Sequence, residues 1–131
     1  MQHSDYSNLL AAINRNRKYS SDIALHYQDK SYTYAEFFEL VDKAVIGILE
    51  GIDSQQSSPV VILGENKLHV IVTQLACLLS GHFFSVLDCH TSDEVLNAQI
   101  DQISPSLIVS VDHLASDKSQ NIKQTNLKLM D

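Results

Sequence analysis

Two short apolar runs, Val60–Leu63 and Phe83–Leu87, bracket a helical stretch that is apolar nearly all the way round from Val70 to Ser80, broken only by Thr73 and Gln74. Short runs without an apolar–polar alternation are the pattern of strands buried on both faces. Pro59 stands at the mouth of the first run, where its missing N–H costs little. Gly64-Glu65-Asn66 turns the chain into a helix from about Lys67 to Ser80, and Gly81 stops it. Two buried strands joined by a helix must lie parallel, because the helix carries the chain back to the starting edge. This one stretch excludes all-helical and all-antiparallel folds.

The flanking sequence extends the same order. Leu9, Leu10 and Ile13 within residues 5–17 share a helical face. Ile23 to Gln28 reads as a strand, Asp29-Lys30 as a tight turn and Ser31 to Tyr34 as the returning strand of a hairpin. Thr33 and Glu36 have the spacing of a capping box, in which each side chain satisfies an orphan backbone N–H of the other. Phe37, Leu40, Val41, Ala44, Val45, Ile48 and Leu49 then recur at helical spacing, with Gly51 as a stop. Ile52–Ser58 is a polar connector. Thr91 and Glu94 form a second capping-box pair, opening a helix through about Gln102 with Leu96, Ile100 and Ile103 inward; Ser104-Pro105 ends it. Leu107–Val111 is a further strand and Leu127–Met130 one more short one. The expectation is an α/β fold: a small three-layer parallel sheet of three or four strands with flanking helices, plus an N-terminal β-hairpin. The domain is expected over residues 1–115, with a polar C-terminal tail over 116–131.

At 131 residues the chain has room for one hydrophobic core. A net charge of -7, with nine scattered basic residues, excludes nucleic acid, whose phosphates require clustered Lys and Arg. The one basic trio, Arg15, Arg17 and Lys18, reads as a solvated helix end. No run is long enough to span a membrane, and the first residues lack the basic and long apolar regions of a signal peptide. Two cysteines, Cys77 and Cys89, are too few for a disulfide framework and suit a reducing, cytoplasmic setting.

Residues that carry chemistry are sparse. None of the four glycines, Gly47, Gly51, Gly64 and Gly81, has the spacing of a phosphate-cradling loop, although Lys67 follows Gly64-Glu65-Asn66. Cys89 and His90 adjoin Asp88, and His82 lies seven residues before Cys89; a metal cluster or a thiol–imidazole pair competes with a polar strand-to-helix loop, and the absence of a second ligand pair at zinc spacing favours the loop. Cys77 reads as a small core residue. Asp88 ends a buried strand on the side where α/β proteins place ligands. A phosphoacceptor role, as in a receiver domain, requires an acidic pair after an early strand and a lysine after a late one; here Gly64-Glu65-Asn66 and Asp112-His113 stand in those places. The reading favoured for Asp88 is a cap that orders its own loop. The sequence therefore assigns no catalytic, cofactor-binding or metal-binding residue.

Two segments together carry a family resemblance. Tyr32-Thr33-Tyr34-Ala35-Glu36 resembles an early T-Y-x-E-L signature, with Phe37 at the leucine. LLSGHFFSVLD, Leu78 to Asp88, is similar to the L-K-A-G-x-x-Y-V-P-L-D signature of the adenylate-forming enzymes, with Leu79 at the lysine and Val86 at the proline. That family includes acyl-CoA synthetases and the adenylation domains of nonribosomal peptide synthetases. The likeness covers residues 20–113, and ISPSLIVSV is similar to the segment leading toward the ATP-binding core. It implies an N-terminal subdomain. In the family both signatures are structural, while the ATP loop, the acyl or amino-acid pocket and the catalytic lysine lie further along, so none maps onto a residue here. The resemblance implies a piece of a split or multidomain synthetase, inactive alone and without a cofactor of its own. Its partner is expected to be the rest of the enzyme, a second copy completing the sheet, or a carrier protein. A docking module and a receiver-like signalling domain remain the alternatives.

Overall fold

The computed structural model describes residues 21–52, 59–64, 67–111 and 124–127, together with positions 11 and 15. The expected N-terminal helix over residues 5–17 lies outside the described residues except at Ala11 and Arg15, both helical. The chain divides into two compact units, Met1–Leu40 and Val41–Asp131.

In the first unit, β1 (Ile23–Tyr27) pairs antiparallel with β2 (Lys30–Thr33). The turn is Gln28-Asp29, one residue earlier than its sequence suggested, and Gln28 takes φ 55°. A positive φ at the first central residue of a two-residue hairpin is the type II′ requirement, which glycine meets without strain. No glycine marks the turn, so nothing in the residue pattern pins its position. Lys30 Nζ lies 4.8 Å over the Tyr32 ring.

Helix α1 (Tyr34–Gly51) opens on the expected capping box. The Thr33 N–H donates to Glu36 Oε1 at 3.0 Å, and the Glu36 N–H donates to Thr33 Oγ1 at 3.2 Å. Its first turns carry an aromatic group, with Phe37 edge-on to Phe38 at 5.4 Å and Tyr34 stacked on Phe38 at 6.3 Å. Val41, Ala44 and Ile48 are fully buried at helical spacing, whereas Leu49, expected inward, is exposed. Gly51 is the last helical residue and lacks the left-handed conformation of a terminating glycine. Its role is clearance: a Cβ there would come 3.0 Å from Leu107 Cδ2.

The second unit holds a four-stranded sheet, β3 (Val60–Gly64), β4 (Phe84–Leu87), β5 (Leu107–Val111) and β6 (Gln124–Leu127), in the order β4-β3-β5-β6 and parallel throughout. β3 is paired on both sides, and Val60 to Leu63 are at most 1% exposed. Full burial of such a side chain stabilises by roughly 1.5–3 kcal/mol. β6 lies three residues earlier than the expected Leu127–Met130, so the polar segment 116–131 contributes a strand.

Helix α2 (Lys67–Leu79) and helix α3 (Asp93–Ile103) join the strands. Leu96 and Ile100 of α3 pack on Val61, Leu63 and Ile108, with half-buried Leu87 beside them. Alternation along β3 turns Gly64 to the other face, where Val70 of α2 approaches it. The two helices thus cover opposite faces, as right-handed crossovers require when the chain passes from β3 to β4 and back across β3 to β5. Two expectations about these helices change. α3 starts one residue later than the Thr91–Glu94 box implied: Ser92 is the cap, its Oγ accepting from the Val95 N–H at 3.4 Å. α2 buries one face only, through Leu68, His69, Val72, Thr73, Ala76 and Cys77, while Ile71 is 51% exposed. The carboxyl ends of α2 and α3 fall where the sequence places them. Gly81 takes φ 80°, with His82 N–H on Cys77 O at 2.8 Å and Gly81 N–H on Leu78 O at 3.2 Å, the paired bonds of a Schellman end. Ser104, held before Pro105, closes α3 in the left-handed region.

Candidate functional site

Because the sheet is parallel, β3 and β4 deliver their carboxyl ends to one side, the side on which open α/β sheets place ligands. A groove of about 480 Å³ opens there. Lys67, Val70, Ile71 and Gln74 of α2 form one wall; Val86 and Leu87 of β4 with Asp88 form the other, and Gly64 lies at the end of β3. Val86 is 42% exposed. A side chain at position 64 has no room, since its Cβ would lie 2.9 Å from Val70 Cγ2 and 3.2 Å from the Val111 carbonyl oxygen. Glycine there lets α2 sit tight against the strand ends. The groove is mostly apolar, with one cation and one carboxylate among its lining groups.

Asp88 orders its own loop. Its Oδ1 accepts the His90 N–H at 2.9 Å, and its carbonyl accepts the Thr91 N–H at 3.3 Å. This is the local Asx geometry that polar residues adopt after a strand. Cys89 follows β4, whereas His82 precedes it, with its Nδ1 3.1 Å from Ser80 Oγ. Four strand residues separate the two, and at about 3.3 Å per residue the thiol and that imidazole sit at opposite ends of the strand. Among the described residues no group of three His, Cys, Asp or Glu side chains could hold a metal ion. Cys77 is buried in α2, and desolvation pushes its thiol up to about 12, so it stays protonated and packs as a small apolar group.

His69 is a feature that sequence reasoning passed over. It is 3% exposed on the buried face of α2, and desolvation lowers its pKa below the ordinary imidazole value. The helix repeat places it beside Val72, Thr73 and Ala76, but a lone histidine in an apolar run carries no signal of a reactive role. The groove was likewise missed. Its only trace in the sequence is the all-round apolarity of α2, which exceeds what one buried face needs.

Lys67 and Asp88 can orient a polar end of a ligand or a facing surface, and the apolar walls can bury a hydrocarbon. The described groups form no nucleophile–base pair and no nest of backbone N–H groups around a phosphate. Among the described residues no helix is long and apolar enough to cross a membrane.

Comparison with known proteins agrees with this scaffold. The profile of the family described as AMP-binding enzyme matches residues 13–130. A D-alanine--D-alanyl carrier protein ligase of Streptococcus pneumoniae (strain 70585) is 26% identical over 82 residues, which is 63% of this chain and 16% of the ligase. The O-succinylbenzoate coenzyme A synthetase MenE of Bacillus subtilis, solved with AMP, superimposes with a TM-score of 0.72 at 18% identity, covering 89% of this chain and 30% of MenE. The N-terminal subdomain of Klebsiella oxytoca NpsA, solved in complex with 3-hydroxybenzoyl-AMSN, superimposes at 0.70 with 12% identity, covering 91% of this chain and 29% of that subdomain. The chain thus spans about a sixth of the curated relative and under a third of these solved chains. With its profile matched from residue 13 to 130 and its α/β fold shared with N-terminal subdomains of adenylation enzymes, the chain belongs to the AMP-binding enzyme family.

Proposed function

We propose that this chain is the N-terminal scaffold segment of an acyl- or aminoacyl-adenylating synthetase, working as part of a split or multidomain enzyme in the cytoplasm and catalytically silent alone. The observation that carries this reading is the combination of a family match over residues 13–130 with coverage of only 16% of a D-alanine--D-alanyl carrier protein ligase. The aminoacyl branch, including peptide-type natural-product assembly, is favoured over simple fatty-acid activation because the sequence relative is a D-alanine ligase. Silence follows from the chemistry of the step. Attack of a carboxylate on the α-phosphorus of ATP expels pyrophosphate, and the charge that develops must be met by convergent N–H groups or cations. The full sequence has no two glycines at the spacing of a phosphate loop.

In this reading α1, α2 and the β3–β5 core hold the strand ends in register, and residues supplied by the remainder of the enzyme grip the nucleotide. ATP–pyrophosphate exchange with the purified chain, across D-alanine, other amino acids and aromatic acids, is expected to give no signal above a no-enzyme control. Calorimetric titration with ATP and Mg²⁺ is expected to give no saturable heat. Stoichiometric ATP binding or exchange by the chain alone overturns the proposal.

A further inference from the structure

We infer that α3 and β5 hold an internal water molecule, bound between the Ser110 hydroxyl and the Asn97 side-chain amide near the carboxyl ends of the strands.

The first support is a pair of polar atoms that the fold encloses without giving them a bond. Ser110 is fully buried in β5, and its Oγ has no hydrogen-bond partner among the described residues. Asn97 of α3 is half-buried, and its Oδ1 is likewise shielded from solvent and without a partner among those residues. A buried hydroxyl on a helix escapes this: Thr73 Oγ1 donates to the His69 carbonyl one turn back, at 2.8 Å. A strand offers no such carbonyl. β5 is paired on both sides, with Ser110 opposite Leu63 of β3 and Asn126 of β6. Its ladder bonds lie in the sheet, while the Ser110 side chain stands roughly perpendicular to it. Buried polar groups are nearly always bonded, and interior waters bind where protein partners are lacking.

The second support is that the fold brings the two atoms into one layer. Ile108 belongs to the core under α3, and Ser110, two residues on, points to the same face. Its register partner Leu63 shares that core with Leu96, so Ser110 stands at the level of the first turn of α3. Leu96, Ile100 and Ile103 turn toward the sheet. Asn97 lies about 100° round the helix from Leu96. In a right-handed crossover from β4 to β5 that flank of α3 is the one above β5. The two groups face the same space without bonding to each other. A water between them accepts the Ser110 O–H and donates to Asn97 Oδ1, which satisfies both with one molecule. The complete burial of Ser110 leaves no route for a larger ligand.

Oxygen-17 relaxation dispersion of the solvent, which counts long-lived internal waters and is blind to hydroxyl proton exchange, tests this on the full chain. Wild type is compared with Ser110→Ala and, separately, Asn97→Leu, and circular dichroism and urea melting check that each folds. The expected result is a dispersion in the wild type whose amplitude falls by about one water in each variant. Equal amplitudes in the wild type and either folded variant overturn the inference. A wild type without dispersion overturns it too, and that reading needs no variant. A direct Ser110–Asn97 hydrogen bond gives a third pattern: the urea midpoints of the two variants and their double mutant are non-additive while the amplitude stays constant, which also overturns the water site.

Discussion

Gly64 and Gly81 are both glycines at element ends, yet they are required for different reasons. At Gly81 the space is open and the backbone is the constraint: φ is 80°, and no atom lies within 4 Å of a built Cβ. Gly81→Ala is expected to cost about 1 kcal/mol through the left-handed conformation alone. At Gly64 the backbone is ordinary and the space is closed, with Val70 and the Val111 carbonyl in the way. Gly64→Ala is expected to cost roughly 1–3 kcal/mol through displacement of α2. Urea titration separates the two when Asn is placed at each site: Asn tolerates positive φ, so Gly81→Asn recovers most of the loss and Gly64→Asn deepens it. Gln28 runs the other way. Its φ of 55° is strained for glutamine, and Gln28→Gly is expected to raise the melting midpoint.

Individual elements were legible wherever a local rule and the tertiary fold agreed. The Thr33–Glu36 box gave the start of α1 to the residue because both reciprocal bonds form. Thr33→Ala is expected to cost about 1 kcal/mol, seen as a lower urea midpoint. The Glu36 carboxylate accepts the Thr33 N–H, which holds its pKa below the ordinary value. A depressed carboxyl pKa contributes stability that is present above the unfolded value and lost as pH falls through the folded one. That contribution should therefore fade on acidification below about pH 4. The start of α3 was misplaced by one residue because Thr91 and Ser92 are both good caps, and spacing cannot rank neighbours. The role of α2 was half legible: its periodicity gave the helix, while all-round apolarity suggested a fully enclosed element that this chain does not enclose. His69 supplies the test of α2 docking. Its imidazole pKa is lowered by burial, so its neutral form belongs to the fold. Stability from it is present above the unfolded value near 6.5 and falls as pH drops below that, by at most about 1.4 kcal/mol per pH unit. His69→Leu is expected to flatten the decline in urea midpoint between pH 7 and pH 5.

At the scale of the whole molecule, the α/β class followed from sequence because the Val60–Leu87 stretch permits only one kind of connection. The functional assignment was legible as ancestry and illegible as substrate, since no described side chains converge on a reacting atom. The open groove also makes a solution prediction. Ile71→Lys is expected to lower the fluorescence of a bound apolar dye such as ANS with under about 0.5 kcal/mol change in stability, because the side chain is half in water already. The strand order carries one more consequence. β3 is the hub, flanked by β4 and β5, but a ribosome releases β5 only after α2, β4 and α3 have been made. During that interval one flank of the most water-averse segment in the protein lies bare. A nascent chain stalled after α3 should therefore recruit a ribosome-associated holdase chaperone, and release it once Leu107–Val111 has cleared the exit tunnel.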